Sequence, residues 1–479
     1  MAILHPDATI IPSKLEVISG WIAEQRWYAA KGRSPRLRRL SSWRLDDRGG
    51  QVGIETVIVA DDASTPPTVY QVPLTYRGAP EPTLEPALIG VVEHSVLGTR
   101  WVYDAPHDPV YAGELFALAT GQVRAASSAE SDAVDPDIAG IATTGETLRL
   151  ISSRVLTGEQ SNTSIIAVAA DGAGGERPVI IKVFRTLADG DNPDVVVQGT
   201  LAAAGSTRVP ASLGSISGSW PAPDGGPSAH GHFALAQEFL PGAQDAWREA
   251  LLAARTGSDF TDQARLLGDA TAEVHEVLAA QLPTEPADAG RIGETLAGMR
   301  ARLAAALAEC PQLARHTDAV EAIFTAAEQA DWPPFQRIHG DFHLGQVLLV
   351  PGRGWVLLDF EGEPLRPLAE RNRTDQTMRD VAGMLRSFDY AGGSLEQETR
   401  GFSARAWVAA AQDAFVAGYA ARAGSDPRTA GPLLGAYLVD KALYEVVYET
   451  RNRPTWVGIP LAALDRLLPH TDATKEELP

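Results

Sequence analysis

A single cysteine, Cys310, stands among 479 residues, which excludes an internal disulfide and any cysteine-rich zinc site. Cys310 itself reads as a small core or helix-surface residue. Basic residues are in deficit: 41 Lys and Arg against 61 Asp and Glu leave a formal charge of −20. So acidic a chain repels nucleic acid and anionic membrane, and any phosphate it binds must be held by local donors and a metal ion. No uncharged apolar run reaches bilayer-spanning length, and no basic segment followed by an apolar stretch and a cleavage site opens the chain. The expectation from these absences is a cytoplasmic protein with no nucleic-acid and no membrane partner. Internal repeats and long low-complexity tracts are missing as well. Apolar residues, in contrast, make up 44% of the chain, enough to fill sizeable cores.

Turn-bounded alternating segments at 53–59 and 68–74 predict a β-rich unit over residues 1–96, preceded by a helix that ends in Gln25-Arg26-Trp27-Tyr28. The basic cluster from Lys31 to Arg39 reads as a solvated patch or a docking surface for an acidic neighbour. Residues 97–240 read as an intermediate subdomain and a strand lobe. A helix-prone segment near 110–124 is followed by an Ala- and Ser-rich loop to about 137. Strands are expected at 148–156, 165–169 and 179–184, with the turn Thr157–Ser164 between the first two. Residues 214–230, rich in Gly, Ser and Pro, read as a surface loop, and 233–240 as an apolar strand ending at Pro241-Gly242. Over 241–479 the apolar spacing becomes helical, at 265–278, 296–307, 320–330, 378–388, 404–421 and 433–450.

Chemistry concentrates in the stretch Ile338-His339-Gly340-Asp341-Phe342-His343-Leu344-Gly345-Gln346 and in Asp359-Phe360-Glu361-Gly362-Glu363 after an apolar run. A carboxylate opening a short loop, an amide five positions on and a second carboxylate make a phosphoryl-transfer constellation. Asp341 suits the general base for an acceptor hydroxyl; Gln346 and Asp359 suit a hard divalent cation, Mg2+, on nucleotide phosphates. The bland alternatives are a turn-capping Asp and a hydrogen-bonded loop amide. His343 would approach the metal or phosphates, or pack in the loop. Glu361 would serve as a second ligand or contact substrate, whereas Glu363 reads as structural. Lys182 ends an apolar strand, where a charge is costly unless paired; it reads as a phosphate-contacting lysine or as an edge lysine reaching water. Ser161, Asn162 and Thr163 offer side chains and backbone N–H groups to phosphate oxygens. Lys441, Tyr444, Glu445 and Tyr448 recur at steps of three and four, one helical face that suits a sugar or holds an internal Lys–Glu pair. Arg379 and Asp380 read as lining that site or as a structural ion pair.

These stretches, with Gln25–Tyr28, Gly158–Ser164, Arg379–Phe388 and the segment from Tyr444-Glu445 to Pro454, resemble the aminoglycoside-phosphotransferase-like branch of the protein-kinase fold. The closer likeness is to actinobacterial maltokinases, with the glucosamine kinases a near relative. The resemblance implies an α+β, bilobal protein-kinase-like fold with a β-rich N-terminal cap subdomain and an active site between the lobes. It implies ATP as co-substrate and a small sugar acceptor, maltose going to maltose 1-phosphate. Glucosamine is the alternative acceptor, and a partner enzyme of glucan synthesis is a candidate neighbour. Gln237, Glu238, Phe239 and Leu240 would form the adenine-binding hinge. The sequence departs from the pattern after Lys182: valines at 195–197 stand where an acid is expected, leaving Asp191, Asp194 or Gln198 as its partner. That departure supports a third reading, a pseudokinase or binding module.

Overall fold

The structure is a computed structural model that describes residues 8–130, 133–156, 161–363, 366–399 and 401–468. The chain divides into two compact units, residues 1–199 with 210–241, and residues 200–209 with 242–479.

The first unit holds two antiparallel sheets. The larger has eight strands among the described residues; its centre is Leu37–Asp46, Gly53–Asp61, Thr68–Arg77 and Gly98–Asp104. Both faces are buried. Ile18, Ile22, Trp27 and Tyr28 cover Val57, Val59, Tyr70 and Val72 on one side. On the other, Ile54, Ile58 and Val69 share a core with Tyr111, Leu115 and Phe116 of the helix Pro109–Ala119. That helix is apolar on nearly every side because it lies between the two sheets. The expected boundary near residue 96 falls in the turn of the hairpin Leu88–His94/Gly98–Asp104, and the sheet continues beyond it. Its strand Thr186–Leu187 pairs with Thr68–Arg77 and comes directly after Glu176–Phe184 of the second sheet.

The second sheet runs in the order Ile138–Ala142, Ser212–Trp220, Ala229–Glu238, Glu176–Phe184, Asn162–Ala170, Arg149–Val155. The expected surface loop over 214–230 is corrected here: its first part is the strand Ser212–Trp220, buried along most of its length and paired on both edges. Gly and Ser are there for close approach. A Cβ on Gly214 would lie 2.1 Å from the Ala119 carbonyl oxygen, and one on Gly218 2.4 Å from that of Asp137. The N-terminal helix is shorter than expected: Lys14–Ile22, opened by a Ser13/Glu16 capping box. Gln25 to Tyr28 follow in turns that send Trp27 and Tyr28 into the core, where the Tyr28 hydroxyl donates to Asp61 at 2.7 Å.

The second unit is helical, with a small sheet of Gln244–Asp245, Val347–Val350 and Gly354–Leu357. Helices Thr261–Gln281, Ala289–Glu309, Thr317–Glu328, Thr377–Glu398, Arg405–Ala423 and Pro432–Asn452 fall on the predicted periodic segments; Ala246–Thr256 and Gly458–Leu467 were not foreseen. Helices Thr261–Gln281 and Arg405–Ala423 meet backbone to backbone at two glycines. A Cβ on Gly268 would lie 2.0 Å from the Phe415 carbonyl oxygen, and one on Gly418 1.9 Å from that of Arg265. Gly418→Ala is therefore expected to destabilise this unit by about 3 kcal/mol, read as an earlier urea midpoint. Among the described residues no helix is long and apolar enough to cross a membrane.

Candidate functional site

In the helical unit, two short segments are locked together by a hairpin. Val347 pairs with Leu357, so the next pair outward sets Gln346 against Leu358, whose N–H donates to the Gln346 carbonyl at 2.9 Å. The Gln346 side-chain amide then donates to Asp359 Oδ2 at 3.0 Å. Asp359 has φ +64°, the one non-glycine residue with positive φ among the described residues. Such a backbone costs about 1–2 kcal/mol and is held by its surroundings, as at sites where a side chain must be aimed. His339 ties the segments a second time: its Nε2–H donates to the Leu358 carbonyl at 2.8 Å, and its ring packs 4.7 Å from Phe360. Asp341, Gln346 and Asp359 are thus brought into one hydrogen-bonded assembly.

One stripe of the helix Thr377–Glu398 holds the loop that carries Asp341. Asp380 accepts from the N–H groups of His339 at 2.8 Å and Gly340 at 2.9 Å. One turn on, a Cβ on Gly383 would lie 2.5 Å from the Phe342 carbonyl oxygen, so only glycine admits the loop. A turn further, the Ser387 hydroxyl accepts from the Leu344 N–H at 3.0 Å. Positions 380, 383 and 387 share a face by helical spacing. Sequence reasoning missed Gly383 and Ser387 and did not give Asp380 this role. The available signal was their spacing of three and four residues within one helix. Arg379 does form ion pairs, with Glu363 at 2.5 Å and Asp375 at 2.8 Å.

Beside Asp341 sits Lys441, whose ammonium lies 3.2 Å from Asp341 Oδ1 and 2.9 Å from Glu363 Oε1. Burial by itself would push the Glu363 carboxyl up, but Arg379, Lys441 and Arg366 overcome it and hold it well below the usual carboxylate range. Burial likewise works against the Lys441 charge and is overcome by Glu363 and Asp341, so the ammonium is held charged. Tyr444 and Tyr448 stack 6.4 Å apart at 21°, with the Lys441 ammonium 4.8 Å above the Tyr444 ring. Glu445 does not join them. It is buried and accepts from Arg386 at 2.7 and 3.0 Å, and burial pushes its carboxyl up despite that arginine. No internal Lys–Glu pair forms, because Lys441 reaches across to Asp341 and Glu363. His343 is half-buried and accepts from the Gly345 N–H at 3.1 Å, with burial lowering its pKa. The Glu361 carbonyl accepts from Arg371 at 2.9 Å.

In the strand unit, Lys182 meets Asp194 at 2.6 Å. Val197 turns into the core, while Asp194, in the first turn of the helix Pro193–Ala203, supplies the acid. Gln198 donates instead to the Gln237 side chain. Thr157, Gly158, Glu159 and Gln160 of the expected phosphate turn lie outside the described residues, as does Pro364. Ser161 is exposed, and Asn162 opens the strand opposite Phe184. The Thr163 hydroxyl is buried against Arg185, which donates to it at 2.8 Å. In the expected hinge, the N–H groups of Glu238 and Phe239 donate to Ala211 and Pro178 carbonyls at 2.9 and 3.0 Å, and Leu240 is buried.

Comparison with known proteins agrees with this layout. Residues 21–108 match the maltokinase N-terminal cap domain, and residues 197–433 the phosphotransferase enzyme family. A glucosamine kinase of Streptacidiphilus jiangxiensis is 30% identical over 65% of this chain and 72% of its own. One of Mycolicibacterium smegmatis is 27% identical over 66% and 86%. The solved structure of a glucosamine kinase in complex with glucosamine, ADP and inorganic phosphate shares the fold, with TM-score 0.63, 24% identity and coverage of 96% of this chain and 100% of that one. The chain belongs to the phosphotransferase enzyme family, with a maltokinase-type cap at its front, and is an ATP-dependent phosphotransferase acting on an alcohol group.

Proposed function

We propose that this chain is an ATP-dependent sugar kinase that phosphorylates maltose at its anomeric hydroxyl, giving maltose 1-phosphate. Asp341 takes the proton as the sugar oxygen attacks the γ-phosphorus, and the bond from that phosphorus to ADP breaks. The carbonyl oxygen of Gln346 and the carboxylate of Asp359 are hard oxygen donors, a set that fits Mg2+. When bound, that ion neutralises phosphate oxygens. Lys182, oriented by Asp194, contacts phosphates together with Ser161 and Asn162; Tyr444 and Tyr448 pack on the sugar.

The observation that carries the choice of sugar is the charge around Asp341. Lys441 already occupies its flank. Around it Arg302, Arg366 and Arg379 are all paired, with Asp440, Glu363 and Asp375, so Lys441 is the cation that an acceptor at Asp341 meets. A neutral sugar accepts hydrogen bonds from that ammonium, whereas a cationic amine meets like charge, a penalty of about 1–4 kcal/mol at contact distance. The second reading, glucosamine phosphorylated at the 6-hydroxyl, is favoured by the name of the 30%-identical relative. Magnesium-dependent ADP release is to be measured with maltose, glucosamine, glucose and aminoglycosides. Turnover led by maltose is expected; turnover with glucosamine and none with maltose overturns the assignment and leaves the kinase chemistry standing.

A further inference from the structure

Behind the loop of Asp341 lies a buried relay that the proposed chemistry leaves unused. His275, on the helix Thr261–Gln281, is 4% exposed and places Nε2 3.0 Å from Asp380 Oδ2 and Nδ1 3.0 Å from the Tyr419 hydroxyl. A carboxylate only accepts, so the nitrogen facing Asp380 carries the hydrogen. In the neutral ring Nδ1 then accepts the Tyr419 proton. The backbone of His275 is enlisted too: its carbonyl accepts from the Gln336 amide at 2.8 Å, just ahead of the loop. The Gly268/Gly418 crossing makes this meeting feasible. His275 stands two turns beyond Gly268 on one face, and Tyr419 adjoins Gly418.

We propose that His275, with its tautomer set by Tyr419, is a positioning residue for catalysis. It supplies the third donor to Asp380, and so fixes the carboxylate that in turn fixes the His339 and Gly340 N–H groups and aims Asp341. This rests on the reading of Asp341 as base. A loop freed by a fraction of an ångström still binds both substrates but presents the base badly, so the loss belongs in kcat and not in KM.

The test compares His275→Phe, His275→Gln and Tyr419→Phe with Asp341→Asn, using the full chain, ATP and the best acceptor of the sugar panel, well below each thermal midpoint. His275→Phe is expected to lower kcat on the order of 30-fold, with KM for ATP and for sugar within about threefold. Gln, whose amide nitrogen reaches toward the place of Nε2, is expected to restore most of it. Tyr419→Phe, which removes one oxygen, is expected to cost about fivefold in kcat, and it decides the matter if His275→Phe does not fold. Unchanged kcat in folded His275→Phe, or in Tyr419→Phe should the former not fold, overturns the proposal, as does a loss carried by KM or a Gln variant no better than Phe. If Asp341→Asn retains turnover, the base assignment is what fails.

Discussion

Asp341→Asn is expected to lower kcat by about a thousandfold while leaving KM for ATP near that of the parent chain. The substitution keeps the shape of the side chain and removes its capacity to take a proton. The loop around it is fixed by main-chain bonds from His339, Gly340 and Leu344 to Asp380 and Ser387, none of which involves the Asp341 carboxylate. Lys441 keeps Glu363 as a partner at 2.9 Å, so the ammonium is not stranded. A folded, ATP-binding, inactive protein is the outcome; ADP release and a thermal midpoint, measured together, read it. Activity within about tenfold of the parent would mean that another group takes the proton.

Asp380→Ala is expected to strike stability and turnover together. The carboxylate is 1% exposed and collects three donors: two loop N–H groups and His275. Burial alone would raise its pKa, but His275, His339 and the Gly340 N–H hold the carboxyl below its ordinary value. A depressed carboxyl contributes stability above its unfolded pKa and loses it only as pH falls through the folded value. The contribution is thus in full force at neutral pH. Alanine leaves all three donors buried without an acceptor, a cost of about 4 kcal/mol, and frees the loop. Asparagine is no rescue, because its NH2 end faces a donor. Urea unfolding at pH 7 and initial rates measure the two effects, and a stable, active Asp380→Ala would refute the clamp.

The parts that were legible in the sequence are those whose partners lie close along the chain. Asp341, Gln346 and Asp359 are joined by one hairpin, and the long helices announce themselves by apolar spacing. The strand Ser212–Trp220 was hidden because its composition answers to neighbours far away in sequence, the Ala119 and Asp137 carbonyls. Asp380 and His275 were opaque for the same reason: their bonds span 40 or more residues, and no local period records them. Glu445 shows the reverse error. Helical spacing put it near Lys441 and Tyr444, but only the packed core decides which edge of that face turns inward to Arg386.

The pairing of Thr186–Leu187 with Thr68–Arg77 has a consequence for how this protein can be taken apart. One continuous run of chain leaves the second sheet and finishes the first. A truncation that begins after residue 108 would strip Thr186–Leu187 of its partner strand, and Gln71 would no longer donate to the Phe184 and Phe233 carbonyls. The front hundred residues are therefore masonry shared by two rooms, and their removal does not leave the remaining strands as they were.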